Sequence, residues 1–405
     1  MMIGCVFSGS LSDAIGRRKG QIFLIIPFTL GWIILGFARN NHIMLLGRFI
    51  TGICAGAVRP LGLVYIGEVS DPKYRSITLF CPTLAMAIGV LFCHTIGHYC
   101  PWRAVCFVYA IPNVICLCLL LLLKESPIWM ITNGHTELGA ETFKWFRGEG
   151  ESVEKELKSI LDNQDNNSPV SSMQEFLSII LTKPFLKSFV VVFFIFVAVQ
   201  LSGINTISFY ALDIFKSTFG GDVDAFTLMI ITDVIRFICI GAICIIARRL
   251  PRKKTFLACC FGVTTVLLGF VTYLILKPEG LLWVAVTCLV AYIVIASILT
   301  SISWSFVAEI FPTKIRGFGS GISSLMSFSF LFLSVQFTPS IISTFGEAAM
   351  YGSFAVSTLV AAIVLCFILP ETNGRSLQDI EDSLYKKKEN IEMSTTSQTI
   401  NKDPV

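Results

Sequence analysis

The sequence predicts an all-α, multi-pass membrane protein made of two related halves, and three observations carry that prediction. Ten apolar runs are long enough to cross a bilayer, basic residues crowd into alternate connections, and charged motifs recur at a nearly constant offset. Of 405 residues 54% are hydrophobic and only 14% charged, with a mean hydropathy of +0.75; soluble domains run near about 25% charged. A water-soluble enzyme is excluded on that ground. The net charge of +4 is too small to point to nucleic acid as a partner.

A helix needs about 20 apolar residues to cross a hydrocarbon core about 30 Å thick. The first apolar piece, 1–12, is too short, reaching about 18 Å at about 1.5 Å per residue. It reads as the tail of a span whose beginning is missing, a short interfacial helix being the other reading. Full runs follow at 21–38, 43–69, 77–97 and 102–123, so that 1–123 forms an incomplete N-terminal half. The charged segment 124–187 is expected to be a cytosolic linker, with short helices over 137–162 and a polar stretch over 162–172. Runs at 188–214, 225–247, 255–277, 281–306, 317–342 and 347–370 make a six-helix C-terminal half, 188–370. The remainder, 371–405, is a polar cytosolic tail expected to be disordered after about 383. Twelve of the 14 cysteines lie within apolar runs, where the side chain behaves as a small apolar group. Their spacing suggests neither a disulfide framework nor a metal site.

Orientation follows from the 31 lysines and arginines. Arg39, Arg103, Lys216 and Lys277 occupy one set of connections, Arg48, Arg59 and Arg236 lie inside spans, and the remaining 24 occupy the opposite connections and the tail. Cytoplasmic loops carry the excess of Lys and Arg, so the segment 124–187 and the C-terminus are assigned to the cytosol.

The repeat is read from charged motifs. Glu68 is followed by Arg75, and Glu309 by Arg316, with the same spacing at an offset of 241. Gly16-Arg17-Arg18-Lys19 finds a counterpart in Pro251-Arg252-Lys253-Lys254, and Glu125-Ser126-Pro127 echoes Pro370-Glu371-Thr372. A duplicated six-span unit with a site near the midplane is a transporter architecture. The clusters are candidates for a cytosolic latch between the halves, released when transport opens that side; simple satisfaction of the positive-inside rule is the alternative.

These motifs resemble the sugar-porter branch of the major facilitator superfamily. The resemblance is carried by Gly9–Lys19, Gly47-Arg48, Tyr65-Ile66-Gly67-Glu68, Glu125-Ser126-Pro127-Ile128-Trp129, Gln200-Leu201-Ser202-Gly203-Ile204-Asn205 and Pro370–Leu377, in order, over about 1–382. Within the branch the chain, with Leu79-Phe80-Cys81-Pro82-Thr83, looks most like insect facilitated trehalose transporters. The resemblance implies a major facilitator fold of twelve spans, of which this sequence shows the pattern only from late in the second. The first helix and part of the second are therefore expected to be lacking, leaving ten full spans plus a fragment. Proton coupling, which in the family depends on an acidic residue in that first helix, is left undecided. The latch set by resemblance is Asp13, Arg17, Arg18, Arg48, Glu68, Arg75, Glu125, Glu309, Arg316 and Glu371.

A sugar offers hydroxyls and apolar ring faces, which call for amides that donate and accept and for an aromatic platform. By resemblance, Gln200 and Asn205 bond sugar hydroxyls, Tyr210 helps gate the outer side, Trp304 lies beneath the sugar and Thr83 supplies a hydroxyl. The bland readings are that buried amides stitch helices together and that a tryptophan near a helix end anchors at the interface. The chain also departs from the family: Val199 replaces the first of two glutamines, Ser301 and Ser303 replace prolines, Arg248 stands for an acidic residue and Pro251 for glycine, and Phe330 and Leu333 alter the cavity. The oddest departure is Arg236, at a cavity asparagine. An internal pair with Asp233, three residues earlier on the same helical face, is the first explanation. A substrate bearing an anionic group, or relaxed constraint in a non-functional copy, are the others.

The function these readings support is facilitative transport of a hexose or disaccharide (trehalose or glucose) across the plasma membrane by alternating access. The alternative is a truncated, transport-incompetent membrane protein acting through association or sensing. No cofactor, metal or nucleic acid is expected, and the partners are the sugar and the lipid bilayer. The oligomeric state is left open.

Overall fold

In hydrocarbon a chain must satisfy its own backbone hydrogen bonds, so long apolar runs can span only as helices or closed barrels, and runs of this length fit the helix. The computed structural model describes residues 1–71, 74–162, 178, 180–219, 224–246, 250–276, 281–311 and 316–370, and every regular element among them is a helix. Ten of these helices are long and apolar enough to cross a membrane.

The chain opens with α1 (Met2–Ile15), then α2 (Arg17–Gly36), α3 (Asn41–Val69), α4 (Arg75–Tyr99) and α5 (Trp102–Leu122). Three short helices follow, α6 (Pro127–Thr132), α7 (Thr136–Arg147) and α8 (Glu151–Asp162). The polar stretch beyond residue 162 and the tail from 371 lie outside the described residues. The second set is α9 (Lys183–Gln200), α10 (Ile204–Phe209), α11 (Ala211–Phe219), α12 (Ala225–Ile246), α13 (Arg252–Leu276), α14 (Leu282–Ile310), α15 (Arg316–Phe345) and α16 (Glu347–Ile368). The run 188–214 is thus broken into three pieces. At the start of α12 Asp224 accepts the Thr227 hydroxyl at 2.5 Å and the Thr227 N–H at 2.9 Å, which together hold its carboxyl below the usual carboxylate range.

Successive long helices run up and down between two ends. One end, called the charged end below, carries residues 12–19, 65–71 and 124–162. There α1 is a bundle helix, not an interfacial one: it packs along α3 and α15. The approach is close enough that a Cβ on Gly4 would sit 2.0 Å from the Ile53 carbonyl oxygen, and the Cys5 thiol donates to the Gly56 carbonyl at 3.2 Å.

The main core is built by α9, α13, α14 and α16, with Val191, Ile195, Cys260, Val263, Ala296 and Ala355 wholly buried. By contrast α5 buries only Cys106, Ala110 and Leu120 and leaves Ile111, Ile115, Leu119 and Leu121 exposed. Such a face is costly in water and costs nothing against lipid tails.

Two seams join the first five helices to the later ones: α1 packs on α15, and α4 packs on α12. The repeat offset of about 235–241 carries α4 onto α15 and α1 onto the end of α12, so each seam is the other's repeat counterpart. Along the second seam α4 and α12 are antiparallel. Phe80 and Ala87 meet Ile240, Ile243 and Cys244 toward the charged end. Toward the other end His94 meets Asp233, and the His98 ring stacks on Phe226 with centroids 3.7 Å apart.

Candidate functional site

The site begins with the interruption between α9 and α10. Gly203 has φ +86°, a conformation glycine adopts readily and other L-residues resist, and a Cβ there would lie 2.3 Å from the Phe354 ring. The freed carbonyls find partners on neighbouring helices: Ser357 donates to Leu201 at 2.9 Å and Tyr292 to Ser202 at 2.8 Å. A broken helix is tolerated at membrane depth when side chains re-satisfy its backbone in this way.

The break aims Gln200 and Asn205 at one another. Gln200 Nε2 donates to Ser327 Oγ at 2.7 Å, and Gln200 Oε1 accepts from Asn205 Nδ2 at 2.8 Å. Beyond Asn205 lies a cavity of about 320 Å³, including the part open to solvent, lined by Thr83, Met86, Ala87 and Val90 of α4, Ile204 and Asn205 of α10, Arg236 and Ile240 of α12, and Ser297 and Thr300 of α14. The hydroxyl protons of Ser297 and Thr300 go to the carbonyls of Ile293 and Ala296 in the preceding turn. Their oxygens therefore keep only acceptor capacity, suited to hydroxyl donors.

The sequence-predicted site residues divide. Thr83 and Asn205 line the cavity, whereas Gln200, Tyr210 and Trp304 are not among its lining residues. Gln200 stands behind Asn205 and orients it. Tyr210 donates its hydroxyl to the Val335 carbonyl at 3.2 Å, tying α10 to α15. Trp304 is 3% exposed, which rules out an interfacial anchor, and its ring packs on Phe196 beneath the Arg59 guanidinium, whose Cζ is 3.7 Å from the ring centroid. The serines that replace prolines leave α14 helical throughout, Ser301 Oγ donating to Ser297 and Ser303 Oγ to Thr300.

The expected internal pair of Asp233 with Arg236 is corrected. Asp233 Oδ2 lies 2.5 Å from His94 Nδ1, and Arg236 Nη2 donates to the Ile204 carbonyl at 3.3 Å. Helical spacing brings the two residues to one face, but the neighbouring α4 presents a nearer partner. Arg236 is 8% exposed and its Nε has no hydrogen-bond partner.

The latch residues also differ from expectation. Arg17 Nε reaches both Glu68 oxygens, at 3.2 and 3.0 Å, and Nη1 reaches Asp13 at 3.0 Å; the Ser126 hydroxyl bonds Glu68 as well. Glu125 accepts the N–H groups of Arg18 and Lys19 at 2.8 and 3.2 Å, placing a carboxylate on the positive end of α2. Arg18 in turn donates to the Leu120 and Leu121 carbonyls at the end of α5. These described contacts fasten α1, α2, α3, α5 and the start of α6 to one another and do not bridge to α9–α16. With only Gly16 between α1 and α2, Arg17 reaches no farther than adjacent α3. Arg48 is exposed near the opposite end of α3, twenty residues and about 30 Å of helix from Glu68, so it takes no part. The side chains of Arg75, Glu309 and Arg316, and all of Glu371, lie outside the described residues.

Two residues carry contacts that sequence reasoning missed. Arg59 was visible as a charge inside a span, with nothing to say which ring it covers. His94 was visible only as a polar group near a helix end, because its partner is 139 positions away. Among the described residues no group of three or more His, Cys, Asp or Glu side chains could hold a metal ion.

Comparison with known proteins agrees with this architecture. The facilitated trehalose transporter Tret1 of Polypedilum vanderplanki is 28% identical over 389 residues, covering 94% of this chain and 76% of that protein. The major facilitator proton:xylose symporter XylE bound to 6-bromo-6-deoxy-D-glucose superposes with a TM-score of 0.81 at 21% identity, covering 95% and 86% of the two chains. The inward-open form of XylE from E. coli superposes at 0.71, with 20% identity over 94% and 86%. The model of the sugar (and other) transporter family matches residues 1–384. The chain belongs to that family of membrane transporters, and not to any class of enzyme.

Proposed function

We propose that this protein carries a hexose or disaccharide across the plasma membrane by alternating access, down the sugar's own gradient, with α6–α8 and the C-terminus in the cytosol. The observation that carries the reading is the cavity shared by α4 on one side and α10, α12 and α14 on the other, a mostly apolar space with Thr83, Asn205 and Arg236 among its lining residues. A site between two bodies that rock about it is what alternating access requires. Asn205 and Thr83 are the proposed sugar contacts, with Gln200 holding Asn205 in orientation. The charged cluster around Arg17, Glu68 and Glu125 would make the first helices move as one body. Tret1 relatives are named for trehalose, so trehalose and glucose are the first substrates to test.

The experiment is tracer uptake by cells expressing the chain with a C-terminal epitope. Saturable uptake above background is expected, with the epitope reached by antibody only after permeabilisation. Asn205→Ala removes one hydrogen-bonding group from a buried site, worth about 1–3 kcal/mol. Uptake should fall about tenfold at equal surface amount. Uptake no greater than in untransfected cells would overturn the reading, and an Asn205→Ala protein with unchanged uptake would remove that residue from the site.

A further inference from the structure

The cavity and its surroundings hold more positive charge than their side chains neutralise, and we infer that its substrate is a sugar bearing an anionic group, bound through Arg236. This rests on the carrier reading of the same cavity and narrows its substrate class.

Arg236 is more than nine-tenths buried, lines the cavity, spends Nη2 on the Ile204 carbonyl and leaves Nε without a partner. The carboxylate one turn earlier, Asp233, acts on Arg236 through space but bonds His94 across the seam and not the guanidinium, and its single charge cannot offset two guanidinium groups. Arg59 adds a second guanidinium beside the site: its Nη1 points at the sulfur of the lining residue Met86, 3.6 Å away, and its plane lies over Trp304. Neither a thioether nor an indole face carries a countercharge. The four groups Arg59, Arg236, Asp233 and His94 sum to +1 with His94 neutral and +2 with it protonated.

A buried charge left unpaired costs several kcal/mol, and at membrane depth such residues face a partner or a water-filled pathway and mark function. A neutral sugar can accept hydrogen bonds from Arg236 but cannot offset its charge. A carboxylate or phosphate does both, and the planar guanidinium edge matches either group. The acceptor oxygens of Ser297 and Thr300 would then take ring hydroxyls.

The test uses the purified full chain. Thermal unfolding is measured with glucuronate, glucose 6-phosphate, glucose, trehalose and inorganic phosphate, each alone at equal millimolar concentration. Glucuronate or glucose 6-phosphate should raise Tm by several degrees and neutral sugars by less; which of the two acts tells carboxylate from phosphate. Equal stabilisation by inorganic phosphate would overturn the assignment as a sugar site. In proteoliposomes the ratio of anionic to neutral sugar uptake should fall at least tenfold in R236Q and be partly kept in R236K. If neutral sugars are carried while anionic ones neither bind nor compete, this inference fails and the carrier reading stands. If anionic sugars stabilise the protein but nothing is transported, the carrier reading fails and the site stands.

Discussion

Asp233 and Arg236 stand three residues apart on α12, a spacing that ordinarily makes an ion pair along the helix. The pair that forms instead runs across the seam to His94, because a partner supplied by a packed neighbour can approach head-on while two residues of one helix must lean along its surface. His94→Ala would leave the Asp233 carboxylate, 4% exposed, without its hydrogen bond. Removing one partner of a buried pair costs about 3–5 kcal/mol, and the partial exposure of His94 places the expected loss toward the lower figure. Replacing both residues by leucine should recover most of it, since an apolar pair leaves no group unsatisfied. Thermal melts of His94→Leu, Asp233→Leu, the double leucine variant and the parent form a cycle that isolates the coupling. Strictly additive effects would mean that the two side chains do not bond in the folded protein.

At the scale of the element, the interruption at Leu201–Gly203 decides what the site can contain. An unbroken helix from α9 through α10 would continue its own hydrogen bonds, whereas the break turns Gln200 and Asn205 toward each other and opens carbonyls to Ser357 and Tyr292. Gly203→Ala should therefore act on fold and site together. A left-handed conformation costs a non-glycine residue about 1–2 kcal/mol and overpacking against Phe354 about 1–3 kcal/mol. A markedly lower Tm is expected in detergent, partly restored by adding Phe354→Leu, which relieves the clash but not the backbone strain. An unchanged Tm would mean that the break tolerates a side chain. The spans around it were legible because length and hydropathy alone specify a helix in lipid, and the resemblance marked residues 200–205 as special. What sequence could not convey is which side chains the break places in the cavity. Gln200 and Trp304 both match a binding pattern, yet one is turned to Ser327 and the other lies under Arg59. Those outcomes depend on contacts between helices far apart in the chain, and no spacing rule within one helix contains them.

For the whole molecule the two seams matter most, since rocking one body against another requires both to move. They are repeat counterparts with unlike surfaces. On α4 the large ring of Phe80 fills the seam against Ile240, Ile243 and Cys244; its counterpart position on α15, at the offset of 241, is Gly321. There the helices approach until a Cβ would lie 2.9 Å from the Cys5 carbonyl oxygen and 3.4 Å from Ser8 Oγ. Small residues that let backbones touch are the usual means of joining helices in lipid, where apolar side chains gain nothing by leaving the solvent. One methyl group at this position should force α1 and α15 apart, whereas Gly352 of α16 has open space around its Cα and accepts the same methyl freely. Gly321→Ala is thus expected to lower both Tm and the rate of sugar uptake. Gly352→Ala should leave uptake intact and hold or raise Tm, since alanine favours a helix interior over glycine by about 1 kcal/mol. Uptake and melting measured on both proteins at equal surface amount separate the two effects. Equal behaviour of the two variants would show that the α1–α15 contact is too loose to act as a bearing surface between the halves.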